Sequence, residues 1–409
     1  MQRGLGARAR PRIAAGVIVL GLLMLSTSMV SVADAKTRLG PAGIAFYTPP
    51  KPLPGKGHGG LIWARPLTDS AAQPGATNTL LLYRSIGIDG HAVAVSGTLS
   101  VPQGQPPRGG WPVITYDHAT TGIADVCAPS LDTPSDPAHL LIAYAYPLLD
   151  SWLKAGYAVV STDYEGLGTP GVHPFLIGSS EARSTLDIVR AARQFDPHLS
   201  ANVVIAGHSQ GGQAALFSAA LAPSWTPELH IHATVAFAPV NHIVALQQFY
   251  EQTTAPPPLD SVLLALGIPV LADLDPAQFS PSKSLSPAAQ ALYPQLFSQC
   301  LLQLSAANSL GGIPPSAVYA PGFSTPATDA ALTRLVDPEP LTIKTPVLIE
   351  QGLSDNLVEP ALTAELAHEY AAKRTPVTFH TFPGVGHIDL VTSPAGADAT
   401  SWIESHLPP

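Results

Sequence analysis

The segment Gly207-His208-Ser209-Gln210-Gly211-Gly212 follows the apolar run Val203–Ala206 and leads into an alanine-rich stretch from Gln213. A serine at a sharp corner between a buried strand and a helix presents its hydroxyl as a nucleophile, and the residues beside it must be nearly bare because backbone packs against them. Gly207, Gly211 and Gly212 meet that need. A helix starting behind Ser209 would aim unpaired N–H groups and its positive dipole end at developing negative charge, which makes the Gln210 N–H the expected oxyanion donor. The plain alternative is an ordinary strand-to-helix turn.

A serine hydroxyl is a poor nucleophile at neutral pH. It needs a histidine base, and that histidine needs a carboxylate to fix its tautomer and balance the imidazolium. On a strand–turn–helix scaffold the chain order is serine, acid, histidine. Downstream, the run Pro346–Gln351 ends in Gly352-Leu353-Ser354-Asp355, and Val377–Phe382 ends in Pro383-Gly384-Val385-Gly386-His387. Asp355 and His387 thus both fall just past strand ends, where ligands of such sheets bind. Asp337 precedes its strand, Asp389 follows the histidine and Glu359 belongs to the next helix, so position favours Asp355. His380 lies inside a strand and His406 at the tail, so position favours His387. His208 reads as a packing or hydrogen-bonding neighbour. His230 and His232 form an H-x-H pair of the kind found in some metal sites, but no third ligand accompanies them and ordinary strand histidines are expected.

A second oxyanion donor is expected from the loop after Pro112–Tyr116, which reads Asp117-His118-Ala119-Thr120-Thr121-Gly122. The backbone N–H groups of Ala119 and Thr120 are the candidates. Asp117 either braces this loop or donates when protonated.

These groups need a sheet to carry them. Leu80–Ser85 and Ala92–Val101 are strand-like around a turn at Gly90, predicting an antiparallel hairpin. Then Pro112–Tyr116, Tyr157–Thr162, Val203–Ala206 and Ala233–Ala238 read as strands, separated by helical patterns at Leu140–Ala155, Glu181–Gln194 and Gln210–Leu221. Strand and helix in alternation predict an α/β fold with a mostly parallel sheet, and runs apolar throughout fit strands covered on both faces. After Pro239 the rhythm fails. Asn241–Thr253, Asp260–Ala272 and Pro287–Ala307 look helical between proline-rich breaks, which predicts a helical insertion. The sheet resumes at Thr345–Gln351, with a helix at Pro360–Arg374, a strand at Val377–Phe382 and a last helix at Gly396–Leu407. The expected organisation is a signal peptide over 1–35, an irregular N-terminal segment packed on the core over 36–79, core over 80–240, helical lid or cap over 241–340, and core again over 341–409.

The signal peptide rests on Arg3, Arg8, Arg10 and Arg12, the uncharged apolar run Ile13–Val30, and the small-x-small site Ala33-Asp34-Ala35. The alternative is an uncleaved membrane anchor, since that run reaches the lower edge of a bilayer span. Removing 1–35 moves the formal charge from −9 to −12, and no basic cluster follows, which argues against nucleic acid as a partner. Hydrophobic residues make up 46 % of the chain and charged ones 12 %, so a large core is available and disorder is excluded by composition. Cys127 and Cys300 are the only cysteines; export favours a disulfide between them over two buried thiols, and four-cysteine metal sites are impossible.

Taken together, the chain resembles the secretory lipase family, the lipase-A-like branch of the α/β-hydrolases. The likeness is carried by Phe46-Tyr47-x-Pro, His118 to Gly122 followed by Cys127-Ala128-Pro129-Ser130, Asp163-Tyr164-Glu165-Gly166-Leu167-Gly168 with Glu181-Ala182-Arg183, the Ser209 elbow, Gly352-x-x-Asp355 and Gly386-His387. The resemblance implies an α/β-hydrolase fold, a Ser209–His387–Asp355 triad, hydrolysis of acyl ester or lipid substrates without metal or organic cofactor, and a helical lid between the sixth and seventh predicted strands. Alanine at 119 departs from the glycine of the usual oxyanion loop. Leu263, Leu264, Leu266, Leu271, Phe297, Leu301, Leu302 and Leu304 either cover an acyl chain, with transient contact to a lipid interface, or form the lid's own core. A Cys127–Cys300 bridge would tie the lid to the oxyanion loop. The competing functions are a serine peptidase or acyltransferase on the same fold, and a non-catalytic secreted binding protein.

Overall fold

Val113 and Ile114 are neighbours in sequence and both 0 % exposed, yet they belong to different apolar cores, one on each face of the sheet. Side chains alternate across a strand, so a strand covered on both sides leaves little room for polar residues. The computed structural model describes residues 38–253 and 258–409. The expected signal peptide at 1–35 lies outside the described residues. Among the described residues no helix is long and apolar enough to cross a membrane.

The strands are β1 (Gly60–Pro66), β2 (Ala76–Ile86), β3 (Ala92–Pro102), β4 (Trp111–Asp117), β5 (Ala158–Thr162), β6 (Leu199–His208), β7 (His230–Phe237), β8 (Val347–Gly352) and β9 (Val377–Phe382). They form one sheet in the order β1-β2-β3-β5-β4-β6-β7-β8-β9. β1, β2 and β3 pair antiparallel, β3 is antiparallel to β5, and every pair from there to β9 is parallel. This is the α/β-hydrolase fold expected from the sequence. Helices α1 (His139–Ala143), α2 (Tyr146–Ala155), α3 (Gly178–Phe195) and α4 (Gln210–Trp225) lie between strands of the first half. The predicted helix at Leu140–Ala155 is therefore two helices: Pro147, in the first turn of α2, has no N–H to continue a ladder from α1.

β1 corrects the reading of 36–79 as irregular. Gly55, Gly57 and Gly59 ahead of it, all at positive φ, and Pro66 at its end hide a short strand that pairs with β2 from Gly60 to Pro66. With β1 counted, the insertion falls between the seventh and eighth strands.

The insertion differs from the three long helices expected of it. It runs through α5 (Ile243–Gln252), α6 (Pro258–Leu266), α7 (Ile268–Leu274), α8 (Pro276–Phe279), α9 (Pro281–Ser284), α10 (Pro287–Leu292), α11 (Leu301–Leu304) and α12 (Pro326–Val336). Prolines open α7, α8, α9, α10 and α12 in their first turns. Each removes a donor from the preceding helix and is pre-set for starting the next. Val262, Leu264, Leu296, Leu301 and Leu304 share one core with Val204, Ala206 and Phe237 of the sheet, so the insertion packs as part of that face. The chain ends with α13 (Pro360–Ala372), packed on the opposite core through Leu366 and Tyr370, and α14 (Pro394–His406), packed beside the insertion's core through Ala395 and Ile403.

Candidate active site

Ser209 sits between β6 and α4 with φ 59° and ψ −117°, a backbone conformation that side-chain-bearing residues rarely adopt. The turn is held because Ser209 N–H donates to Phe237 O at 2.9 Å and Gln213 N–H to Ser209 O at 3.1 Å. The glycines are required by contact. A Cβ on Gly207 would lie 2.0 Å from Gly211 O, and one on Gly211 would lie 1.9 Å from Asp117 O. The Ser209 side chain makes no capping hydrogen bond to α4, and Gln210, the first residue of that helix, carries one of its orphan N–H groups.

The expected acid and base are joined. His387 Nδ1 and Asp355 Oδ2 are 2.7 Å apart, with both side chains almost fully buried. Asp355 Oδ1 accepts from Leu357 N–H and Val358 N–H, each at 2.9 Å, and Oδ2 also accepts from Gln351 Nε2 at 3.0 Å. Burial alone would raise this carboxyl, but the adjacent His387 and the two backbone donors outweigh it and hold Asp355 below its ordinary value. The two loops are stitched together: Leu353 N–H donates to Phe382 O and Ser354 N–H to Val385 O. A side chain at Gly352 would meet Val385 O at 2.4 Å, so that glycine permits the approach.

Ser209, His387, Ala119 and Thr120 line one cavity. Its remaining walls are largely apolar and come from the insertion, from α1, from the segment ahead of α3 and from the loops after β7, β8 and β9. Of the eight apolar insertion residues named from sequence, Leu263, Leu264, Leu271 and Leu301 face this cavity; Leu266 and Leu304 are buried in the common core, Leu302 packs at its margin, and Phe297 is exposed. The eight thus divide between the cavity wall, a core shared with the sheet, and the surface. Cys127 and Cys300 are disulfide-bonded across 173 residues. Leu301 N–H donates to Thr121 O beside the bridge, so the insertion is fastened to the loop carrying Ala119 and Thr120.

His208 is a packing neighbour, as expected. It is fully buried, bonds Tyr144 Oη through Nδ1 at 2.6 Å and lies 4.6 Å from the His387 ring. Burial, then the nearby His387, keep it well below the ordinary histidine value, so it remains neutral. Asp337 accepts from Ile243 N–H at the start of α5, His380 pairs with Asp398, and His406 stacks on Trp402. His232 bonds Asn202, and among the described residues neither it nor His230 belongs to a group of three potential metal ligands.

Sequence reasoning did not foresee the polar network under the elbow. Gln210 Nε2 donates to Glu181 Oε1 at 2.7 Å and lies 3.0 Å from His173 Nε2, while Thr185 Oγ1 donates to Asp117 Oδ1 at 2.6 Å. Burial pushes Glu181 up to about 8, so it is protonated at neutral pH, and burial raises Asp117 well above its ordinary value. Negative charge is thereby kept away from the start of α4. The signal was present in the polar residues spaced along the otherwise apolar face of α3, but nothing local said which element they would meet.

Residues 131–264 match the family model described as secretory lipase, and this bears out the resemblance read from the sequence. Lipase A of Moesziomyces aphidis is 30 % identical over 231 residues, covering 52 % of this chain and 48 % of that protein. The secreted triacylglycerol lipase LIP4 of Malassezia furfur is 35 % identical over 141 residues, 34 % of this chain and 25 % of that protein. The chain thus spans about half or less of these relatives' lengths. Among solved structures, Candida antarctica lipase A superposes with a TM-score of 0.75 at 20 % identity, covering 89 % of this chain and 86 % of that one. The rice cell wall degrading esterase LipA from Xanthomonas oryzae superposes with a TM-score of 0.67 at 20 % identity, covering 86 % and 99 %.

Proposed function

We propose that this chain of the secretory lipase family is an exported hydrolase of carboxylic esters, acting through an acyl-enzyme on Ser209. The observation that carries the reading is that His387, hydrogen-bonded to the buried Asp355, lines the same apolar-walled cavity as Ser209. Asp355 accepts at Nδ1 and so leaves Nε2 as the basic nitrogen. His387 takes the Ser209 proton as Oγ attacks the ester carbonyl, and the Gln210 N–H, with that of Ala119 or Thr120, receives the oxyanion. His387 then returns the proton to the leaving alcohol, and water, deprotonated by the same imidazole, releases the acid and restores Ser209. The hydrogen bond from Ser209 Oγ to His387 Nε2 is the contact this scheme adds.

The apolar walls supply a place for an acyl chain, which favours esters with an aliphatic acid over peptides. Residues 241–340 act as the lid in this reading, and 1–35 as the cleaved export signal. A fluorophosphonate probe with intact-mass detection tests the nucleophile: one adduct is expected on the wild-type chain and none on Ser209→Ala. A panel of p-nitrophenyl esters, triglycerides and peptide anilides tests the reaction class, and preferential anilide cleavage would overturn the ester assignment. Absence of both labelling and turnover would leave a binding protein instead.

A further inference from the structure

Glu350 lies in the middle of β8, 0 % exposed, and among the described residues no donor reaches either of its carboxylate oxygens. A buried carboxylate without donors is costly, and native structures rarely leave one unexplained. In the sheet register Glu350 stands beside His380 of β9. Asp398 of α14 completes the group: one ligand atom from each of Glu350, His380 and Asp398 falls within 4.8 Å of the others. His380 Nδ1 and Asp398 Oδ2 are 2.6 Å apart, and these two side chains are 42 % and 41 % exposed. The cluster therefore has a dry end at Glu350 and a wet end open to solvent.

We propose that Glu350, His380 and Asp398 form a binding site for one divalent transition-metal cation of the zinc class, which clamps β8, β9 and α14 together. Two carboxylates and a neutral imidazole carry a formal charge that a divalent cation balances. Mixed nitrogen and oxygen donors suit zinc-class ions, whereas calcium and magnesium take oxygen ligands. Water can fill the remaining coordination positions from the exposed side. Burial, then the neighbouring Asp398, push Glu350 up to about 10, so the metal-free chain carries a proton there at neutral pH. Binding would release that proton, because the ligand must be the carboxylate. The clamp has a structural consequence. β9 is the edge strand of the sheet and leads into the His387 loop, while β8 leads into Asp355.

The site is independent of the ester-hydrolase reading, and its test does not use turnover. A second cluster, His242 with Glu365 and Glu369, lies elsewhere on the surface, and it must be removed from the count. The metal-stripped full chain is titrated with Zn²⁺ against a chromophoric chelator, in a His242→Ala background, alongside the added variants His380→Ala, Asp398→Asn and Glu350→Gln. The background chain is expected to bind one equivalent and to gain about 2–4 °C in melting temperature at saturating metal. His380→Ala should lose both, Asp398→Asn should weaken affinity at least tenfold, and Glu350→Gln should bind more weakly and release fewer protons. Equal binding and equal melting shifts in the background and His380→Ala chains would overturn the site. Unchanged affinity in Glu350→Gln would also overturn it, leaving Glu350 a neutral acid donating to Asp398. If Glu350→Gln does not fold, the half-exposed His380 and Asp398 variants still decide the matter.

Discussion

β8 is buried along its whole length from Val347 to Gly352, whereas the insertion between Ile243 and Val336 is assembled from helices of four to eleven residues. The insertion walls the cavity, and the loop that follows β8 reaches it through Leu357 and Val358. Hydrogen-bonded strands covered on both faces have one register, because a slip by one residue would exchange the two cores. They hold Asp355 against His387 to within a hydrogen bond. Short helices opened by proline have no comparable internal ladder, and their stability comes from packing on the sheet's face and from the Cys127–Cys300 bridge. In the proposed reaction the sheet edge would fix where charge develops, and the insertion would set what can reach it.

The comparison breaks most severely at the proposed nucleophile. Ser209→Ala is expected to lower kcat by about 10⁴-fold or more in an ester assay, with an unchanged melting temperature. Asp355→Asn should cost a similar factor, about 10⁴-fold, because the ring of His387 loses the partner that fixes its tautomer. No insertion variant that folds should approach either loss.

Paired glycine substitutions sharpen the structural side. A Cβ at Gly97 of β3 would lie 2.4 Å from Ser161 O and 2.6 Å from Ile188 Cδ1, so Gly97→Ala should destabilise the chain by about 1–3 kcal/mol. Gly267, between α6 and α7, has helical φ −76° and ψ −18° and open space around a built Cβ. Gly267→Ala should be neutral or stabilise by up to about 1 kcal/mol. Thermal or urea unfolding measures both, and equal effects would mean the insertion is as tightly packed as the sheet.

Replacing both bridge cysteines by serine should cost about 2–4 kcal/mol in unfolding and reduce turnover of long-chain esters more than of short ones, since the loosened wall is the insertion's. Equal losses across chain lengths would place the effect in the sheet. A pH-dependent effect is expected at Asp260 in α6, which is fully buried with neither oxygen partnered among the described residues. Burial raises it to about 7. Because that is above its unfolded value of about 3.9, the folded chain holds a proton that the unfolded chain has lost, and stability declines as pH rises from about 4 through 7. Asp260→Asn should therefore raise the melting temperature at pH 8 and leave it nearly unchanged at pH 4.

Much of the site was legible without coordinates. Gly207 and Gly211 are demanded by contacts closer than any side chain allows, so the elbow had to leave a mark in the sequence. Asp355 and His387 were legible because they end runs whose composition marks strand edges. β1 was not, since its apolar run is only the four residues Leu61–Ala64, set among glycines and prolines that read as loop. The fragmentation of the insertion was half legible: its prolines are plain, but periodicity alone joined Asp260–Ala272 across Gly267 and Pro269.

The chain by itself determined the order of Ser209, Asp355 and His387, the buried strands that precede them, and a pair of cysteines, because each is written in local composition and spacing. Only the tertiary structure decided that Gln210 would meet Glu181 and His173, that the insertion's leucines would divide between cavity and core, and that Glu350, His380 and Asp398 would converge. Those contacts join elements distant in sequence, and which buried polar group faces which is settled by how helices dock on the sheet.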